Sequence, residues 1–226
     1  MIWRVKMKLS NETIDVLKNF STINQNILVK EGTQLLTMST MKNILAEASV
    51  TEVFPRDFGI YDLNEFLGVL TLVKDAELKF DNDSYLTVNG GRTKIKYFYS
   101  DPSILATPPE TFNAPECDIS FEVSKEILSN VLKASAVMQL PDVVIRKVPG
   151  ETLIDVIATD LKNTTSNNYN VHLDSSDHKD FAFHFKADNL KMIPGDYKVN
   201  ASSTAQVSNW IGSEASYWIA LEQTSD

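Results

Sequence analysis

Cysteine is the scarcest informative residue, with Cys117 standing alone among 226 residues. One thiol excludes an intrachain disulfide and any zinc site built from clustered thiolates, and it fits a reducing compartment. Histidine is nearly as rare. His172, His178 and His184 have no Glu-x-x-His or cysteine partner at metal-ligand spacing. His184 falls in the alternating run Phe181 to Phe185, the pattern of a partly exposed strand histidine. No Gly-x-Ser-x-Gly elbow, Walker loop or Gly-x-Gly-x-x-Gly fingerprint occurs. Asp155 alternates with Ile154 and Val156 as a strand residue and Asp160 reads as a turn residue, so they make a poor acid/base pair. These absences predict a chain that is not an enzyme and uses no metal and no cofactor. No apolar run approaches the roughly 18 residues of a membrane-spanning helix, so no membrane partner is expected.

Positive charge is also in deficit, with 21 basic against 30 acidic residues and a formal net charge of -9. A partner held by a continuous basic surface is disfavoured. The deficit is uneven. Residues 1–100 carry 12 basic and 12 acidic side chains, whereas residues 101–226 carry 9 and 18.

What is present is a pattern repeated twice. At the N-terminus Trp3, Val5, Met7 and Leu9 alternate with Arg4, Lys6 and Lys8, which reads as a strand and not as an export signal. Residues 101–118 hold four prolines and no sustained period, an extended connector between a first domain (1–100) and a second (119–226). Each domain opens with a strand, then a serine N-cap, Ser10 or Ser124, and a helix. Aligned on those serines, Ile14/Leu128, Leu17/Val131, Phe20/Ala134 and Ile23/Val137 form a common apolar stripe. Hairpins are expected at Lys30-Glu31-Gly32, Val148-Pro149-Gly150 and Asn89-Gly90-Gly91. Residues 57–70 match 180–193 without a gap, each read as a strand running into a short helix. The fold class is α+β, with two domains of one plan.

Several segments carry a resemblance. Met7-Lys8-Leu9-Ser10, Leu17 to Asn24, Ile60 to Gly68, Lys191 to Lys198 and Tyr217 to Glu222 are similar to the sliding clamps of T4-type bacteriophages. These segments stand in order along nearly the whole chain. The first six residues precede the Met-Lys-Leu-Ser at which the family usually starts, so Met7 is an alternative start. The resemblance implies the DNA clamp fold, two inner helices and outer antiparallel sheet per domain, in a homotrimer ring. Such a ring encircles duplex DNA without reading sequence and tethers the replicative DNA polymerase as a processivity factor. It is opened and closed by an ATP-driven clamp loader in the cytoplasm of the infected bacterial host, and late-transcription factors extend the partner set. The competing reading is a duplicated phage structural ring component.

Holding a sliding duplex needs flexible point charges aimed at phosphate rather than base-reading forks. Lys125 and Lys133 recur on one helix face, Lys18 lies on the polar face of the first helix, and Lys186 and Lys191 flank the fourth. These five are the expected DNA-facing residues. The strand Arg92 to Tyr99 interleaves basic and aromatic residues, but alternation of this kind marks a half-buried strand. The resemblance places partner binding in an apolar pocket near the connector and the C-terminal strand, with Ile104, Leu105, Tyr217 and Trp218 as candidates.

Overall fold

Serine and aspartate caps start the helices of this chain, and short alternating runs between turns supply its strands. The computed structural model describes residues 5–109, 112–173 and 179–223, so Trp3, Arg4 and His178 lie outside the described residues. The chain divides into two compact units between residues 110 and 111.

In the first unit, β1 (Val5–Met7) leads to α1 (Asn11–Ile23), where the Ser10 hydroxyl accepts from the Thr13 N–H at 3.2 Å. The chain continues through β2 (Ile27–Val29), β3 (Gly32–Met38), β4 (Ile44–Phe54) and β5 (Phe58–Ile60). Asp62 then caps α2 (Leu63–Thr71), accepting from the Glu65 N–H at 3.0 Å, and β6 (Glu77–Phe80), β7 (Tyr85–Gly90) and β8 (Thr93–Phe98) follow. An antiparallel sheet has the order β1-β6-β7-β8, and β3 pairs with β4. The hairpin at Asn89-Gly90-Gly91 forms, with Gly91 at φ +54. The one expected at Lys30-Glu31-Gly32 does not. β2 pairs with β5 instead, because Asp57 draws the turn toward β5: it accepts from the Glu31 N–H at 2.7 Å and pairs with Lys30 at 2.9 Å. Val16, Leu17 and Phe20 of α1 are buried with Leu63 and Phe66 of α2.

The second unit repeats the plan with β9 (Ile119–Val123), α3 (Lys125–Met138), β10 (Asp142–Lys147), β11 (Ile154–Thr159), β12 (Tyr169–Leu173) and β13 (Phe181–Lys186). A 3-10 turn (Ala187–Leu190), β14 (Tyr197–Ser202), β15 (Val207–Ile211) and β16 (Ser216–Ala220) complete it. Its antiparallel sheets run β12-β11-β10-β13 and β16-β15-β14-β9. Trp210, Tyr217 and Phe185 are fully buried.

Two expectations are corrected here. The fourth helix is a single 3-10 turn. Lys186 stands at its cap position and offers no acceptor, and Pro194 denies Leu190 the helical i to i-4 partner; the Leu190 carbonyl takes the Met192 N–H instead. The gapless match of 57–70 with 180–193 is also not the structural correspondence. The N–H of Leu63 donates to Gln25 O and that of Ala187 to Pro141 O, which equates those positions. Two residues beyond each acceptor, Ile27 pairs with Ile60 and Val143 with Phe185. The joint from strand to second helix is therefore one residue shorter in the second unit. Strand periodicity hides such a displacement, because a slip of two preserves alternation.

The apolar stripe of α3 departs from the three-residue repeat as well. Leu128, Val131 and Ser135 are buried while Val137 is 83% exposed. A period of 3.6 carries the buried line to the seventh residue rather than the sixth or ninth. Ser135 is satisfied there by donating to Leu140 O at 2.6 Å.

The proline-rich connector is not extended throughout. Pro102–Ile104 forms a 3-10 turn capped by Asp101, and Leu105 is buried. Ala106 is held through both of its backbone polar groups, its N–H donating to Asn26 Oδ1 at 2.9 Å and its carbonyl accepting from Asn24 Nδ2 at 3.4 Å. Further along, the Asp118 N–H donates to Ala201 O at 3.0 Å.

Candidate functional site

The five expected DNA-facing lysines fall into two groups. Lys18 is exposed on α1 and donates to Asp15 one turn back, at 2.9 Å. Lys191 donates to Asp188 across the 3-10 turn at 2.5 Å. Lys186, at the end of β13, donates to Asp142 at 2.5 Å. Asp142 is 2% exposed and also accepts from the Leu161 N–H at 3.0 Å, so Lys186 neutralises a buried carboxylate. Hydrogen bonding to Asp142 raises the Lys186 pKa despite some burial.

Lys125 and Lys133 differ from these three. Both are exposed on α3 and have no ion-pair partner among the described residues. Eight residues at 1.5 Å each put them about 12 Å apart along the helix. The backbone N–H of Lys125 is held by Asp196 Oδ1 at 2.7 Å and the Ser124 hydroxyl accepts from the Ile127 N–H, so the first turn is fixed from two sides. These two lysines are the uncommitted charges of the set, each an ammonium on a flexible stem.

Three of the four expected pocket residues, Leu105, Tyr217 and Trp218, are buried. Leu105 is buried against Gly59, and Tyr217 is fully buried with its hydroxyl accepting from the Ile193 N–H at 3.1 Å. Burial pushes the Tyr217 phenol up to about 12. Both are core residues, not accessible lining. Ile104 is 60% exposed in the first unit. Trp218, in the second, sits under Phe112 with ring centroids 5.0 Å apart, and Phe112 is 46% exposed. Sequence reasoning missed Phe112, although it is the one aromatic residue in the connector 101–118.

Other candidates resolve into structure. His184 is half-buried on β13, and that burial lowers its pKa against the opposing pull of Asp142. β8 is less covered than a half-buried strand, since its residues are exposed or intermediate; Tyr97 donates to Asp62 O at 3.2 Å and Lys96 lies over the Tyr85 ring at 4.9 Å. Among the described residues, no group of three or more His, Cys, Asp or Glu could hold a metal ion, and no helix is long and apolar enough to cross a membrane.

Comparison with known proteins bears on the family and the fold. Residues 8–106 match the family of the DNA polymerase processivity factor, and residues 120–223 match the gp45 sliding clamp, C terminal. The chain is 34% identical to the sliding clamp of Vibrio phage KVP40 over 220 residues, covering 96% of this chain and 99% of that one. It is 33% identical to the sliding clamp of Enterobacteria phage T4 over 224 residues, covering 97% and 98%. Among solved structures, the proliferating cellular nuclear antigen of Entamoeba histolytica matches with a TM-score of 0.71 at 12% identity, covering 98% of this chain and 99% of that one. Likeness at that identity concerns the fold. The relatives are clamps and not tail or capsid components, which removes the competing reading. The chain belongs to the sliding-clamp family of DNA polymerase processivity factors, proteins that act as scaffolds and not as enzymes.

Proposed function

We propose that copies of this chain join head to tail into a homotrimeric ring around duplex DNA, with Lys125 and Lys133 of α3 facing phosphate. The carrying observation is that these two lysines stand exposed on one helix face with no carboxylate partner among the described residues. A pair of hydrated point charges attracts phosphate without reading bases, which permits sliding. Lys18 and Lys191 attract phosphate more weakly, because Asp15 and Asp188 offset their charge. The acidic excess of residues 101–226 discourages unproductive binding elsewhere on the chain.

In this reading the chain divides as an N-terminal clamp domain, a connector over 101–118 and a C-terminal clamp domain. The replicative polymerase and the clamp loader bind through apolar contacts that include Phe112 and Trp218. Solved relatives support peptide capture of this kind: one is A. fulgidus PCNA with the C-terminal region of FEN-1 bound, another the Helicobacter pylori beta clamp bound to a DNA ligase peptide. Late-transcription factors use the same clamp, and the setting is the cytoplasm of the infected host. Reversing both lysines (Lys125→Glu with Lys133→Glu) is expected to cut loader-dependent processive synthesis at least tenfold while the trimer mass in solution is kept. Unchanged synthesis by the double variant would remove α3 from the DNA path.

A further inference from the structure

The two units treat their first helices differently. The nine-residue α2 packs against α1, whereas the element in the corresponding place beside α3 is the four-residue 3-10 turn, followed by the segment 191–195. A cleft of about 290 Å³ remains between α3 and that segment. Leu128, Leu132 and Ala136 line it from the helix and Met192 and Pro194 from the opposite side, with Lys125 and Lys133 at its rim. Aligned on the capping serines, Leu132 stands where α1 has Lys18 and Ala136 where it has Thr22. The second helix thus presents apolar side chains on a face that the first keeps polar.

Duplex phosphate satisfies the two lysines but leaves an apolar floor unused, since the outer surface of the duplex is charged. A ligand matching the whole cleft must put aliphatic surface between two negative charges about 12 Å apart. An extended peptide rises roughly 3.3 Å per residue and alternates its faces. Its residues i and i+4 therefore lie about 13 Å apart on the same face as residue i+2. We propose that this cleft binds acidic peptide segments of the form Glu-x-Leu-x-Glu, the carboxylates on Lys125 and Lys133 and the leucine over Leu132 and Ala136. Because it draws on the lysines assigned above to phosphate, such a segment occupies the cleft only where DNA does not. The peptide binding itself stands independently of that assignment.

The test uses the full chain and a fluorescein-labelled peptide Ser-Glu-Ser-Leu-Ser-Glu-Ser, read by fluorescence anisotropy at physiological ionic strength without DNA. Saturable binding is expected. It should weaken about tenfold when Ala136→Trp fills the cleft, and by a similar factor when Lys125→Gln and Lys133→Gln are combined. Moving the leucine one place, to Ser-Glu-Leu-Ser-Ser-Glu-Ser, turns it to the opposite face and should cost at least fivefold. Ala136 is exposed, so Ala136→Glu serves if the tryptophan variant misfolds. Absence of saturable binding, equal binding of both peptides, or indifference to the residue at 136 each overturns the proposal. None of these outcomes depends on processive synthesis, so a failed cleft and a failed clamp are told apart.

Discussion

Glu52, on β4, reaches across 42 residues of sequence to accept a hydrogen bond from the backbone N–H of Ser10, the residue that caps α1. Its second oxygen accepts from the hydroxyl of Thr13. The carboxylate is 9% exposed and stands at the positive end of the helix dipole, so it joins helix and strand by charge as well as by hydrogen bond. Burial pushes the Glu52 pKa up, but the bonds from Thr13 and Ser10 outweigh it and hold the group below the ordinary carboxylate value.

A carboxylate held low contributes stability that is fully present above its unfolded pKa and is lost as pH falls through the folded value. Wild type should therefore lose stability on acidification below the usual glutamate range, and Glu52→Gln should lack that component. At neutral pH the variant is expected to be less stable by about 1–3 kcal/mol, because a charge-assisted pair is replaced by neutral bonds. Urea denaturation at several pH values measures both effects. Parallel pH profiles for the two proteins would contradict the role given to Glu52.

Gly59 marks where the start of the connector crosses the first unit. A Cβ there would lie 2.6 Å from Ser100 O and 2.7 Å from Leu105 Cδ1. The Ser100 N–H donates to Gly59 O at 2.9 Å, so the two backbones cannot separate without losing that bond. Gly59→Ala is expected to destabilise the chain by about 1–3 kcal/mol through overpacking. Leu105→Ala in the same background should recover part of that loss, because it removes one of the two clashing atoms. Denaturant midpoints for the single and double variants decide the point, and strict additivity would argue against contact between the two sites.

Local signals are legible in this sequence and long-range ones are not. Ser10 and Ser124 announce their helices because an N-cap acts within one turn. The hairpin from β10 to β11 is similarly local, with Pro149-Gly150 between alternating runs. The hairpin at Lys30 failed because its turn is governed by Asp57, a residue 26 positions from Glu31. The sequence places Lys186 among the expected DNA-facing lysines because nothing near it announces Asp142, 44 residues away. Phe112 and Trp218 meet only through tertiary folding. Of the candidate site, the exposure of Lys125 and Lys133 on α3 is legible in their spacing, whereas ion pairing between distant residues is not.

Lys186 offers a test that separates phosphate contact from support of the fold. Its ammonium neutralises Asp142, and removing it leaves a carboxylate buried beside Leu161 with only backbone help. Lys186→Met is expected to cost about 1–3 kcal/mol, below the range for a fully buried pair because the lysine side chain is 41% exposed. Adding Asp142→Asn should restore part of that loss, since the unpaired charge is gone. The raised Lys186 pKa gives this contribution a sign: it is present below the unfolded lysine value and lost as pH rises through the folded one, so the wild-type excess over Lys186→Met should shrink in alkali. On DNA, the salt dependence of clamp retention should be unchanged by Lys186→Met and shallower for Lys133→Gln, because only a residue that displaces counterions from phosphate alters that slope. A shallower slope for Lys186→Met would return Lys186 to the DNA-facing set.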